Sequence, residues 1–410
     1  MVKDTNRKIK YGGAVTGSEE ERAIIRSIKN SRITRNWQEA EEGKLFSSEA
    51  AKFLGVKYGI LTNSGSSAGL LALSALELPS GSEVIISAVT FPTIFNIILQ
   101  CGLIPVVVDA KVGTYGFALE DVEKAITENT RAIIAIHPLG NPVDMPGLMK
   151  IVHQKEKELS TDYDLGGSFN GEKQKIWVLE DNCDGWSSEI NGKKVGSFGD
   201  ISITSFHAAH IVSMGVGGGV FTNSKVLAQR VRMYRDWGRQ ADINKSENKK
   251  HKTLPEDYNP RFIYEKIGYN FQILELQAAM GRVQLRKTAQ IKKARKNNFN
   301  YLYKNLAKYP LTLPLWLKNA DVCWFAFPIT YEGVRGKLLK HLEKNGIETR
   351  PLFSGNITRH PAFNKDMYII NENLDEADYI TDHSFWISCH PSLTKDDLKY
   401  IIKTFDEFFA

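Results

Sequence analysis

No run of apolar residues in this chain reaches the roughly 18–20 that a bilayer-spanning helix needs, so no membrane partner is expected. The N-terminus, Met1-Val2-Lys3-Asp4-Thr5-Asn6-Arg7-Lys8, has no apolar core, which argues against a signal peptide. Cysteine is scarce. Cys101, Cys183, Cys323 and Cys389 lie far apart and form no CxxC pair. Neither a zinc ribbon nor a disulfide framework is expected, no metal site is proposed, and a reducing cytoplasm is the expected setting. A strong charge of one sign is missing too. Fifty-three basic against 47 acidic residues leave +6, and the charges are interspersed. That balance suits a small anionic substrate and gives no stripe for nucleic acid.

What is present is an ordinary globular composition, 42% hydrophobic and 24% charged, over 410 residues. That length exceeds one typical domain. The first fifteen residues read as a flexible arm. Ser18 with Glu21 is a capping-box pattern, and Ala23, Ile24, Ile25 and Ile28 suit a short amphipathic helix. A second helix is predicted over 47–54, ending at Gly55. An alternation then begins. Strands are predicted over 58–62, 83–87, 104–109, 132–136, 176–181 and 202–206. Helices are predicted through Leu70 to Leu76 and over 92–100, 119–127 and 145–157. Short apolar strands alternating with helices predict a largely parallel sheet covered on both faces. Polar stretches at 159–175 and 240–256 read as surface loops. A helix over 274–305 is placed as a link to a smaller C-terminal α/β unit, closed by an amphipathic helix over 396–409. The expected division is 1–273 and 274–410.

Three segments could carry chemistry. Asn63-Ser64-Gly65-Ser66-Ser67-Ala68 lies between a strand and a helix start, where free N–H groups and hydroxyls form an anion site; an ordinary Gly/Ser turn is the plainer alternative. Glu180-Asp181 ends an apolar strand, where open α/β sheets bind ligands, although a cap would use the same residues. An Asp there can keep a pyridine nitrogen protonated. Ser205-Phe206-His207-Ala208-Ala209-His210 precedes Gly215-Val216-Gly217-Gly218-Gly219. His210 could act as a general base near neutral pH, and a flexible loop with a satisfied histidine is the alternative.

The order of these segments, with Phe91 between the first two, resembles fold-type I pyridoxal-phosphate enzymes, specifically the sugar aminotransferases that act on nucleotide-linked keto sugars. The resemblance covers nearly the whole chain. In that family the segment S-F-H-A-x-K supplies the lysine that binds the cofactor covalently, and here His210 stands in its place. A histidine there resembles the branch of 4-keto-6-deoxyhexose 3-dehydratases. Gly140-Asn141-Pro142, Glu180-Asp181-Asn182-Cys183-Asp184, Arg235-Asp236-Trp237-Gly238-Arg239, Gly268-Tyr269-Asn270, Gly355-Asn356-Ile357-Thr358-Arg359 and Phe385-Trp386-Ile387 agree with that branch.

The resemblance implies an α/β fold with a mainly parallel seven-stranded sheet in the large domain, and a homodimer. It implies that Gly65, Ser66, Ser67 and Ser205 hold the cofactor phosphate, joined by Asn270 of a neighbouring subunit. Phe91 would stack on the pyridine ring, Asp181 would pair with its nitrogen, and Asp184 would lie near its hydroxyl. Arg350 and Arg359 lie in segments expected to approach the nucleotide-sugar phosphates. Two departures stand out. Gln240-Ala241-Asp242-Ile243 stands where cluster-bearing dehydratases carry cysteines, so no iron–sulfur cluster is expected. Val216 stands where the family usually has glutamate.

The expected function is C3 dehydration of a nucleotide-linked 4-keto-6-deoxyhexose, with pyridoxal or pyridoxamine phosphate bound noncovalently and glutamate as amino donor. A different pyridoxamine-dependent sugar modification, an aminotransferase, and a nucleotide-sugar-binding protein that has lost activity are the alternatives.

Overall fold

The architecture comes from a computed structural model that describes residues 8–163, 175–239, 253–255, 257–259 and 262–410. The predicted loops at 159–175 and 240–256, and the tetrapeptide 240–243, fall largely outside the described residues. The chain opens with helices α1 (Ser18–Thr34) and α2 (Glu41–Leu54). The alternation follows as β1 (Tyr58–Thr62), α3 (Gly65–Ala75), β2 (Glu83–Ser87), α4 (Pro92–Gln100), β3 (Ile104–Val108), α5 (Leu119–Ala125), β4 (Thr130–Ile136), α6 (Met145–Tyr163), β5 (Trp177–Asp181), β6 (Ile201–Ser205), β7 (Gly218–Thr222) and α7 (Lys225–Arg235). The long helix α8 (Glu275–Leu306) leads to β8 (Phe327–Thr330), α9 (Arg335–Lys344), β9 (Ile369–Ile370), α10 (Asp375–His383), β10 (Ser384–Ile387) and α11 (Lys395–Phe409).

The main sheet has the order β1-β7-β6-β5-β4-β2-β3-β9. Seven strands come from residues 58–222, and the C-terminal part adds the short eighth at one edge. All are parallel except β7, which pairs antiparallel with β1 and β6. The central strands are buried runs of Val, Ile and Ala, as a sheet covered on both faces requires. β7 is a strand where the glycine run predicts a flexible loop. Gly218 is needed there because a Cβ would lie 2.4 Å from the Ser64 carbonyl oxygen. The strand and the turn before α3 thus touch backbone to backbone.

Helix starts differ from expectation for long-range reasons. α2 begins at Glu41, six residues before the predicted Ser47. The Glu275 carboxylate accepts the backbone N–H groups of Glu42 (2.9 Å) and Gly43 (3.2 Å), doing the work of a local cap. α1 is capped at Gly17, one residue before Ser18, and Glu20 rather than Glu21 takes the Gly17 N–H at 2.8 Å. Its inward side is partly polar. Glu20 is buried against Gln284 and Lys287 of α8, while Ile25 is 54% exposed. Ala23, Ile24 and Ile28 are half-buried, so the amphipathic helix forms as expected, with Ile25 outside the buried stripe and the Glu20 ion pair adding to the docking.

The described part of the N-terminal arm is also docked. Ile9 is 2% exposed and packs in a second core with Phe299, Leu302, Phe327, Phe385 and Phe405. Its N–H donates to Gly346 O, and Ile9 O accepts from Glu348 N. Burying each such side chain contributes about 1.5–3 kcal/mol. That gain offsets the cost of ordering an arm that composition alone leaves free.

Candidate active site

Because six of the seven long strands run parallel, β1, β2, β5 and β6 end on one edge of the sheet, where β7 begins. Register sets Thr62, Gly218 and Ser205 side by side there. α3 starts at Gly65 directly after this edge. Ser64 caps it, its Oγ accepting from Ser67 N at 3.0 Å and donating to Ser67 Oγ at 2.9 Å. No hydrogen bond among the described residues uses the Gly65 and Ser66 N–H groups, which are the orphan donors of a helix start. Gly65 lies against Ser205, and a Cβ on it would fall 2.8 Å from the Ser205 Cβ. A side chain at 65 would push Ser205 away. The expected Gly65, Ser66, Ser67 and Ser205 therefore meet in one place. Thr93, which sequence reasoning passed over, joins them: Ser66 Oγ and Thr93 Oγ1 are 2.9 Å apart, bringing the starts of α3 and α4 together. Its signal was a hydroxyl in the first turn after Phe91-Pro92.

Phe91 precedes α4 and is 55% exposed, a costly position for a ring with nothing to cover. The segment 354–357 runs beside it. Ser354 Oγ donates to Thr90 O at 2.6 Å and Ile357 N to Ala88 O at 2.9 Å.

β5 delivers two adjacent carboxylates to opposite faces, as strand alternation dictates. Glu180 is fully buried and accepts from Gly196 N (2.7 Å), Phe198 N (2.6 Å) and Gly199 N (2.7 Å), with His137 Nε2 at 3.3 Å. It holds the loop before β6 and is structural. Asp181 is also buried, but its hydrogen bonds come from Cys183 alone, through the N–H at 3.0 Å and the thiol, and it pairs with no Lys or Arg among the described residues. Burial pushes its carboxyl above the ordinary range, against the lowering effect of the Cys183 hydrogen bonds. Burial, with Asp181 beside it, pushes the Cys183 thiol well up, so this cysteine is an inert neighbour.

Three residues further, Asp184 Oδ1 lies 3.2 Å from His210 Nδ1. The pair meets at ion-pair distance without hydrogen-bond alignment. The imidazole is flanked by the Phe325 ring, centroids 5.5 Å apart, and by His207 at 6.4 Å. Phe325 was not singled out from the sequence. It is clamped at both backbone groups, its N–H donating to Leu139 O at 2.8 Å and its carbonyl accepting from Nη1 of the buried Arg295.

The remaining expected residues are held by other partners. Asn270 is exposed and bridges to Asp236. Arg350 lies over the Tyr11 ring at 4.3 Å, with Glu348 at 3.7 Å. Arg359 pairs with Asp382 (3.1 Å) and Asp378 (3.4 Å) on α10. Val216 is exposed, its carbonyl accepting from Gln277.

An anion cradle at a helix start, an uncovered aromatic ring and a buried carboxylate without a cation fit a flat cationic ring that bears a phosphate. The donor set lacks an amine at 210, so the fit is noncovalent.

Comparison with known proteins gives this cluster its context. Residues 16–163 and 170–406 match the profile of the DegT/DnrJ/EryC1/StrS aminotransferase family. A dTDP-4-dehydro-2,6-dideoxy-D-glucose 3-dehydratase of Saccharopolyspora spinosa is 36% identical over 98% of this chain and 87% of its own. The lipopolysaccharide biosynthesis protein RfbH of Salmonella typhimurium is 36% identical over 97% and 91%. A crystal structure of GDP-4-keto-6-deoxymannose-3-dehydratase with a trapped PLP-glutamate geminal diamine superposes with a TM-score of 0.84, at 25% identity over 97% of this chain and all of that one. The chain belongs to the DegT/DnrJ/EryC1/StrS aminotransferase family.

Proposed function

We propose that the protein removes the C3 hydroxyl of a nucleotide-linked 4-keto-6-deoxyhexose, with pyridoxamine phosphate as cofactor and glutamate as amino donor. The observation that carries this reading is His210, an imidazole beside a buried carboxylate at the position where the aminotransferases use lysine. The relatives named for 3-dehydration, and the relative that traps a PLP-glutamate adduct, support it.

When bound, such a cofactor supplies a primary amine that condenses with the keto group and a ring that accepts an electron pair. The chain's residues do the rest. Gly65 and Ser66 N–H groups, with the hydroxyls of Ser66, Ser67, Ser205 and Thr93, would hold the phosphate. Phe91 would cover one ring face. Asp181 would gain the cation it lacks and keep the ring nitrogen protonated. His210 Nε2 would take a proton from carbon and return it to the departing hydroxyl, which leaves as water. Imidazole forms no imine with the cofactor, so ordinary lysine-based transamination is disfavoured.

The cycle needs no iron–sulfur cluster on this reading. The segment 240–243 carries no cysteine. Burial pushes Cys323 to about 12 and Cys389 to about 11, so neither is a thiolate at neutral pH.

The working unit is a homodimer. Asn270 stands near exposed Phe262, Tyr264 and Ile267, the last 95% exposed, an apolar surface that a second copy would cover. Arg350 and Arg359 would meet the nucleotide phosphates after exchanging their present partners, and the chain divides near residue 274. A cytoplasmic setting suits four free thiols.

His210→Asn tests the reading. It should still bind cofactor and nucleotide sugar while C3 dehydration falls by about 10²–10⁴-fold. Dehydration at the parent rate would remove His210 from the role.

A further inference from the structure

Within the dehydratase reading, we propose that Asp184 is a positioning residue for His210: it fixes which ring nitrogen takes the proton and balances the imidazolium that results. The argument starts from geometry. His210 Nδ1 faces Asp184 Oδ1 at 3.2 Å, and both side chains are largely buried. Phe325 blocks one side of the ring and is itself held at both backbone groups, so the ring has little room to turn away. With Nδ1 facing a carboxylate, a hydrogen there is favoured over a lone pair, and Nε2 is left as the base.

The contact lacks hydrogen-bond alignment, so its main effect is charge. It grows when His210 becomes cationic, which is after proton uptake. Asp184 therefore helps the product of proton abstraction more than the resting base. That difference is what a catalytic site needs. The charged and titratable groups around the imidazole are Asp184 from the loop after β5, His207 from its own turn, Asp181, which couples to Asp184, and Arg295 behind Phe325, its guanidinium 5.7 Å from that ring. Asp184 is the nearest of them, and Arg295 opposes it from the far side of an aromatic ring.

The test is nitrogen NMR of ¹⁵N-histidine-labelled, cofactor-free protein, which needs no turnover. In the parent protein, neutral His210 should carry its hydrogen on Nδ1. Asp184→Asn removes the charge that favours a hydrogen on Nδ1, so neutral His210 should move toward the Nε2–H tautomer. Asp184→Glu should keep most of the Nδ1–H form. Neutral His210 protonated on Nε2 in the parent, or a tautomer ratio unchanged in Asp184→Asn, would overturn the assignment. Either result leaves the C3-dehydration reading standing. Conversely, a parent protein that makes only amino sugar refutes dehydration without touching the tautomer.

Discussion

Gly218→Ala is a small change with a large expected effect, because the site's backbone closes around that carbon. An alanine Cβ there would lie 2.4 Å from Ser64 O, 2.5 Å from Ser64 C and 2.6 Å from Gly65 N. Ordinary contact begins near 3.4 Å. The strand and the turn must therefore part by roughly 1 Å, and neither neighbour is a flexible side-chain tip. Overpacking of this kind typically costs about 1–3 kcal/mol. The displacement falls on Ser64, which caps α3, and on Gly65, which holds Ser205 in place. Phosphate binding should suffer beyond the stability loss. Pyridoxal-phosphate affinity, followed by absorbance titration, should fall at least about tenfold, equivalent to 1.4 kcal/mol. Urea unfolding should report the stability cost in parallel. Gly336→Ala in α9 is the control, since its Cβ meets nothing within 4 Å; it should leave both readouts unchanged or raise stability slightly. Parent-like affinity and stability in Gly218→Ala would refute the close approach of β7 to the α3 turn.

Further expectations concern buried charge. His390 ties the N-terminal arm to the C-terminal core, with Nε2 2.8 Å from Gly13 O and Nδ1 accepting from Ser392 N. Burial, reinforced by Arg295, lowers its pKa from 6.5 to about 4. Above pH 6.5 His390 is neutral folded or unfolded and adds no pH dependence; as pH falls toward 4 the unfolded chain takes the proton first and stability should drop by up to about 3 kcal/mol; a His390→Gln variant should flatten that slope in acid unfolding curves, and an unchanged slope would contradict the assignment. Arg235 is buried against Glu39 and Asp236, and its Nη1 donates to Leu61 O at 3.1 Å. Arg235→Met leaves the half-buried Glu39 and Asp236 carboxylates without their cation and should cost about 1–3 kcal/mol in urea unfolding; a loss under about 0.5 kcal/mol would show the pair to be dispensable. Asp181→Asn removes the expected partner of a ring nitrogen, so cofactor affinity should drop while the folded baseline in circular dichroism stays put.

Local signals in the sequence were enough for elements that local forces decide. The runs Val84–Ile86, Val106–Val108 and Ile133–Ile136 are continuous and apolar, and each forms a buried parallel strand. The segments around 65, 181 and 205 followed because strand ends carry the turns. What stayed hidden depends on contacts between distant residues. β7 reads as loop because Gly218 and Gly219 have no side chains to signal a strand, and their absence makes sense only with Ser64 beside them. The start of α2 is set by Glu275, more than 230 residues away. Phe325 and Arg295 reach His210 from the C-terminal half and carry no motif. The docking of Ile9 likewise requires a core built from residues beyond 298.

The central claim, C3 dehydration by a histidine-for-lysine member of this family, meets its most direct test in product analysis. Purified protein is incubated with pyridoxal phosphate, glutamate and GDP- or dTDP-linked 4-keto-6-deoxyhexose, and the sugars are resolved by mass spectrometry and NMR. A 3-deoxy keto sugar is predicted, with 2-oxoglutarate and ammonia formed in step with it. A stable 4-amino sugar formed in step with 2-oxoglutarate, with C3 still hydroxylated, would contradict the account and identify an aminotransferase.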